Sequence, residues 1–175
     1  MNIKDTIAAI NQMQADGVIE RYAIGGAVGA TFYLEPVATL DVDVFITFRP
    51  EAGSLLVSPQ PIFDYLKARG GKLEGEYIVV AGWPVQFLPA ASPLIEEALA
   101  QAVEKDVAGV SARVFTAEHL AAIALQTGRA KDKTRLLQFL EAGVLDLARF
   151  QAIISRHDLQ GAWQRFEKQF LGDNP

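Results

Sequence analysis

The sequence has no cysteine among its 175 residues, and this absence removes two classes of structure. Neither a disulfide framework nor a thiolate zinc site can form, and a reducing compartment is compatible with this composition. Long apolar runs are also missing, because no stretch approaches the roughly 18 residues that a bilayer-spanning helix needs. The first six residues show no apolar signal-peptide core. We therefore expect a cytoplasmic protein without a membrane partner.

Positive charge is scarce, since the net charge is −5 and the isoelectric point lies near 5.0. This balance argues against broad, charge-driven binding of nucleic acid. One local cluster of cations remains, and it is either a basic patch or the solvated start of a helix. Its members are Arg129, Lys131, Lys133 and Arg135. The two histidines have no metal-ligand spacing, and we interpret both as structural.

Half of the residues are hydrophobic, which is enough for a core in one domain with a small helical extension. Apolar periodicity and turn residues predict an α/β region over 1–115 and a helical region over 116–175 packed on it. The predicted helices are 3–16, 27–34, 61–70, 93–103, 116–128, 131–142, 146–155 and 158–170. The predicted strands are 18–24, 39–48 (ended by Pro50), 77–81, 84–88 and 107–114.

Two carboxylates stand two residues apart inside an apolar run, at Asp41 and Asp43. Residues i and i+2 of a strand point to the same face, so the two acids would stand side by side. Such a pair is costly unless a cation lies between the carboxylates. Mg²⁺ with a phosphate substrate is the expected occupant, because one or two carboxylates plus phosphate oxygens usually hold it.

Upstream, Gly25 and Gly26 interrupt the apolar strand pattern and predict a tight turn. Backbone N–H groups in such a turn can approach a phosphate closely, because no side chain intervenes. The sequence therefore combines a candidate phosphate-binding turn with a candidate pair of metal ligands.

The order of strand, Gly-Gly, short helix and Asp-x-Asp strand resembles the nucleotidyltransferase superfamily. Within it the chain is similar to the minimal bacterial AbiEii-like abortive-infection toxins. These often have a threonine two residues before the first aspartate, as Thr39 is here, and a Gly/Ala-Arg-x-Lys-Asp segment, here residues 128–132. The resemblance covers residues 20–142. It implies an α+β fold with a mixed sheet flanked by helices and a C-terminal helical region.

The resemblance also implies a reaction and a role for each matching residue. Nucleoside monophosphate would pass from an NTP to an RNA, a protein or a small molecule, with Mg²⁺ held by Asp41 and Asp43. The implied nucleotide-binding residues are Gly25, Gly26, Thr39 and Arg129. The implied catalytic positions are Asp41, Asp43, Gln86 and Lys131. A toxin would also have an antitoxin partner, and the oligomeric state stays open.

Gln86 departs from the superfamily pattern, in which a third acid occupies this position on the strand after the hairpin. An amide oxygen is a weak neutral metal ligand and cannot act as a base. An active enzyme would need Gln86 near the two aspartates, or another acid such as Glu76 or Asp132 in its place. Three hypotheses stay open: an active Mg²⁺-dependent nucleotidyltransferase, a weakened or inactive relative that binds nucleotide or protein, and a plain α/β interaction module.

Overall fold

The computed structural model describes residues 2–36, 38–48 and 58–172. Contacts divide the chain into two units, Met1–Phe32 with Pro36–Phe115, and Tyr33–Glu35 with Thr116–Pro175. The first unit contains all strands of the described residues, and the second contains four helices and a terminal π-helical turn. The prediction that 116–175 packs as a separate domain on 1–115 stays a prediction.

A seven-stranded mixed sheet forms the first unit, in the order β3-β4-β5-β2-β1-β7-β6. The pairs β2–β5 and β1–β7 are parallel, and the other neighbours are antiparallel. The strands are β1 Arg21–Ile24, β2 Val42–Thr47, β3 Lys72–Glu74, β4 Tyr77–Val80, β5 Trp83–Pro89, β6 Val103–Val107 and β7 Val110–Val114. The helices of this unit are α1 Ile3–Ala15, α2 Gly26–Ala30, α3 Gln60–Lys67 and α4 Pro93–Ala100.

Helix α1 shows how the sequence builds this unit. The Asn2 side chain caps its first turn by accepting from the Lys4 N–H. Ile7, Ile10 and Met13 recur at helical spacing and are fully buried. Thr6 is buried among them, and its hydroxyl donates to the Val80 carbonyl at 2.9 Å. This bond attaches the helix to the last residue of β4.

The second unit contains α5 Ala117–Thr127, α6 Ala130–Glu141, α7 Leu147–Arg156, α8 Gln160–Phe166 and the π-helical turn Glu167–Leu171. Thr116 caps α5 by accepting from the His119 N–H, and Gly128 ends that helix with φ of 66°. Buried aromatic rings hold the helices together: Phe150 and Trp163 meet edge to face with centroids 5.2 Å apart.

The predicted α+β class with a mixed sheet is confirmed, and so is a helical C-terminal region. Two strands were not predicted. Residues 72–74 form β3, where no element was predicted. Residues 103–107 form β6, whereas the predicted helix 93–103 ended and the predicted strand 107–114 began within this range. The helix after the glycines is shorter than the predicted 27–34. Pro50, the predicted end of β2, lies outside the described residues. Among the described residues, no helix combines the length and apolarity that a membrane crossing requires.

Thr6→Val should lower the free energy of unfolding by about 1–2 kcal/mol, because the buried Val80 carbonyl loses a donor that water cannot replace. Urea denaturation measures this change. Thr134→Val is the matched control, since its hydroxyl bonds the Ala130 carbonyl at an exposed position. The control should change stability by less than about 0.5 kcal/mol. Equal losses in both variants would contradict a special role for the Thr6 bond.

Candidate functional site

The Gly25-Gly26 turn lies directly on one face of β2. A Cβ added to Gly26 would stand 1.8 Å from Asp43 Oδ2, and one added to Gly25 would stand 2.6 Å from the Phe45 ring. Gly26 also has φ of 57°, which L side chains rarely adopt. The Gly25 N–H donates to the Asp43 carbonyl at 3.0 Å. Both glycines are therefore required by close approach of the turn to β2, in addition to the backbone angle at Gly26.

Strand β2 alternates between the core and this face. Val42 and Val44 are buried, while Asp43 and Phe45 are half-buried on the opposite side. Asp41 precedes the strand by one residue and is also half-buried. The Thr39 hydroxyl donates to the Asp41 carbonyl at 3.2 Å, and its oxygen lies 3.4 Å from Asp41 Oδ1. Thr39, predicted to bind nucleotide, is therefore placed where it orients Asp41.

Gln86 lies beside Asp43, because β5 pairs with β2 in parallel and the two residues are partners in the ladder. Its amide nitrogen lies 3.4 Å from Glu76 Oε2, a long hydrogen bond to the turn between β3 and β4. The structure thus places Gln86 beside Asp43, one of the two aspartates. Glu76, one of the two acids considered as a replacement, is its neighbour.

Tyr77 joins this cluster, and the sequence analysis did not identify it. Partial burial raises the pKa of its phenol, and the negative charges of Glu76, Asp41 and Asp43 raise it further. The phenol also makes a side-chain hydrogen bond with Glu76, so Tyr77 and Glu76 are in direct contact. Only the pairing of β4 with β5, and of β5 with β2, brings Tyr77 here, so no local sequence signal could have revealed it.

The carboxylates on this face of β2 suit Mg²⁺ better than they suit a metal ion that takes all its ligands from the protein. Within the described ranges, no three His, Cys, Asp or Glu side chains are grouped closely enough to hold a metal ion. Mg²⁺ is usually held by one or two carboxylates and completes its octahedron with water and substrate phosphates. Asp41 and Asp43 match that requirement, and the side-chain-free turn lets the Asp43 carboxylate lie against the backbone of Gly26.

The downstream segment 128–132 belongs to the helical unit, so it is described within that unit. Arg129 precedes α6, and its Nε lies 2.6 Å from Asp132 Oδ2. The same carboxylate oxygen accepts from the Arg129 N–H at 3.3 Å, as an acid at the third helical position does when it caps a helix. Asp132 is buried in this pair, whereas Lys131 is exposed. The predicted roles of Arg129 and Lys131 at a nucleotide stay predictions.

Comparison with known proteins finds likeness in structure and none in sequence families. No family model matches the chain, and no curated protein matches it. An antigenic nucleotidyltransferase-like protein from Paracoccidioides brasiliensis is similar in structure, with a TM-score of 0.56 at 15% identity over 93% of this chain and 92% of that one.

Two structures of ANT(2'')-Ia are also similar. The solution structure of this antibiotic-resistance factor has a TM-score of 0.51 at 14% identity, covering 94% of this chain and 98% of that one. Its crystal structure with adenylyl-2''-tobramycin has a TM-score of 0.54 at 13% identity, covering 91% and 98%. At such low identity the likeness shows the fold alone. The predicted nucleotidyltransferase-like fold is confirmed.

Gly26→Ala should destabilise the protein more than the same change at Gly75. Both glycines have positive φ, 57° and 64°, so each alanine costs about 1 kcal/mol of backbone strain. Only at Gly26 does the new methyl group overlap Asp43, because nothing lies within 4 Å of a Cβ at Gly75. Urea denaturation should show an additional loss of at least about 1 kcal/mol in Gly26→Ala. Equal losses would contradict the close approach of the turn to β2.

Proposed function

We propose that the protein is an Mg²⁺-dependent nucleotidyltransferase that transfers a nucleoside monophosphate from an NTP to an acceptor hydroxyl. The observation that supports this proposal is the contact between the glycine turn and Asp43. The candidate phosphate-binding turn contacts Asp43, one of the two candidate metal ligands, on a nucleotidyltransferase-like fold. Because ANT(2'')-Ia, one of the similar structures, is in complex with adenylyl-2''-tobramycin, a small-molecule acceptor is the first to test, followed by RNA and protein.

The reaction would be an in-line displacement at the α-phosphorus. The acceptor oxygen forms the new P–O bond, the bond to the departing pyrophosphate breaks, and the hydroxyl proton passes to a base. Asp41 and Asp43 would hold the cation, with Thr39 orienting Asp41. Bound Mg²⁺ would neutralise charge on the phosphate oxygens. The N–H groups of Gly26, Ala27 and Val28 precede the first i→i−4 bond of α2, from Gly29 to Gly25, and would donate to phosphate oxygens.

Glu76 is our candidate for the base, because Gln86 cannot accept a proton at neutral pH. The Gln86 amide is close enough to orient the Glu76 carboxylate. The Tyr77 phenol, which makes a side-chain hydrogen bond with Glu76, would hold that carboxylate in place or donate to the substrate. In superfamily relatives an acid on the strand that corresponds to β5 has this function. In this proposal Glu76, in the turn between β3 and β4, has it instead. Lys131 and Arg129 would contact the triphosphate or the acceptor.

A binding module without transfer is the second candidate. Gln86 at the position of the third acid favours it. Such a protein would bind nucleotide through Asp43 and the glycine turn, or bind a partner protein. An AbiEii-like relationship, a toxin–antitoxin role and a cytoplasmic location also stay proposals.

Asp43→Asn should weaken Mg²⁺-dependent binding of a non-hydrolysable NTP by at least about 30-fold, which corresponds to about 2 kcal/mol. Removing one of two carboxylates leaves the cation with half of its protein charge. Calorimetry with and without Mg²⁺ measures the affinity. Asp64→Asn is the matched control, because Asp64 is an exposed acid on α3 whose carboxylate accepts from the Gln60 amide at 2.7 Å. If Asp43→Asn binds like wild type, both the transferase and the nucleotide-binding module fail.

Transfer itself is tested with α-labelled NTPs and three acceptor classes: hydroxyl-bearing small molecules including tobramycin, total RNA, and protein. We expect Mg²⁺-dependent label in one class, with release of pyrophosphate. Glu76→Gln should lower kcat by about 10²–10⁴-fold, as loss of a general base does. Glu74→Gln, an exposed acid of the same hairpin, should leave kcat unchanged. Clear nucleotide binding without label in any class would favour the binding module instead.

A further inference from the structure

A cavity of about 440 Å³ opens at the other end of β1, away from the glycine turn. The turn follows Ile24, the last residue of the strand, whereas the cavity lies at Arg21 and Tyr22, its first two residues. Residues of α1, α4, β6 and β7 complete its lining. Small-molecule sites have volumes of about 300–1,000 Å³, so this space is large enough for a ligand. None of its lining residues belongs to the site around Asp43.

Hydrogen bonds fix the walls of this cavity. The Tyr22 hydroxyl donates to Asn11 Oδ1 at 2.6 Å and accepts from the Arg113 N–H at 3.2 Å. The Asn11 amide in turn donates to the Ser111 carbonyl at 2.8 Å. Tyr22 is only 2% exposed, and burial raises the pKa of its phenol, so this chain of bonds persists at neutral pH. A ligand would therefore meet walls that are already ordered, which lowers the entropic cost of binding.

Two arginine side chains line the cavity without using their donors. Within the described part of the chain, neither Arg21 nor Arg113 makes a side-chain hydrogen bond or an ion pair. Other arginines do: Arg69 pairs with Asp16 at 3.5 Å and Arg129 with Asp132 at 2.6 Å. Each guanidinium offers five N–H donors in a planar fork that matches carboxylate and phosphate oxygens. The cavity thus holds two unused oxyanion-binding groups.

The cavity lining also contains one acidic residue. Glu104 also lines the cavity and is the ladder partner of Arg113, yet the two make no ion pair. The lining therefore has two positive charges and one negative charge. The anionic group of a ligand would face the two arginines. If the ligand also has an N–H or ammonium group, that group would face Glu104. The whole protein has a net charge of −5, so attraction of an anion here would have to come from these local groups.

We propose that this cavity binds a small molecule through a phosphate or carboxylate group held by Arg21 and Arg113. The binding is independent of the proposed transfer reaction, because it uses different residues. It also assigns a purpose to the ordered polar wall of Asn11, Tyr22 and Ser111, which would place the anion between the two guanidinium groups.

The test is calorimetry on the full chain at constant ionic strength, with three probes: inorganic phosphate, O-phosphoethanolamine and acetate. We expect saturable millimolar binding of at least one probe. Phosphate binding without acetate binding would identify a phosphate ligand, and the reverse a carboxylate. Arg21→Gln and Arg113→Gln should each weaken the affinity by about tenfold or more, because each removes charge-assisted hydrogen bonds. Thermal unfolding checks that both variants are folded.

Two further variants separate a specific site from general charge effects. Arg69→Gln removes the same charge elsewhere in the first unit and should leave the affinity unchanged. Glu104→Gln should tighten binding of inorganic phosphate severalfold, because a repelling carboxylate is removed. The proposal is overturned if no probe shows saturable binding, or if Arg69→Gln weakens it as much as the two cavity variants do.

Discussion

The close contact between the Gly25-Gly26 turn and β2 is the constraint on which the candidate site depends. Two side-chain-free residues let the turn rest on the strand face that carries Asp43 and Phe45. The backbone bond from Gly25 to Asp43 holds the contact on one side, and the Phe45–Phe115 ring pair, with centroids 4.9 Å apart, packs beneath it. Any larger residue at either glycine would separate the turn from the carboxylate. The nearness of the turn's backbone to the Asp43 carboxylate is therefore a property of packing.

The sheet order then determines which residues surround that contact. Because β5 is the parallel neighbour of β2, position 86 stands beside Asp43 whatever residue occupies it. The hairpin that leads into β5 brings Glu76 and Tyr77 to the same region. An acid removed from β5 can therefore be replaced from the hairpin without a change in topology. Gln86 would still have a function in such an arrangement, since a neutral amide close to a carboxylate orients it without adding charge.

The sequence predicted the parts of this arrangement that depend on neighbours along the chain. Gly-Gly predicts a turn and Asp-x-Asp predicts an alternating strand from neighbouring residues alone, and the structure has both. Strand β3 was missed because its three residues, including Leu73, are all exposed and show no alternation. Strand β6 was missed because Glu104, Lys105 and Asp106 interrupt its apolar pattern and suggest a solvated segment. Tyr77 and the cavity depend on strand pairing between distant segments, which periodicity cannot reveal.

Strand β1 also separates Arg21 from the aspartate pair. Asp41 and Asp43 lie near its C-terminal end, and Arg21 is its first residue. Three residue steps of β-strand span about 10 Å, which is comparable to the screening length of about 8 Å at physiological ionic strength. Guanidinium groups in direct contact with the aspartates would compete with a metal ion for the same oxygens. Because Arg21 lies one strand length away and is partly screened, it would not compete with a cation for the aspartate oxygens.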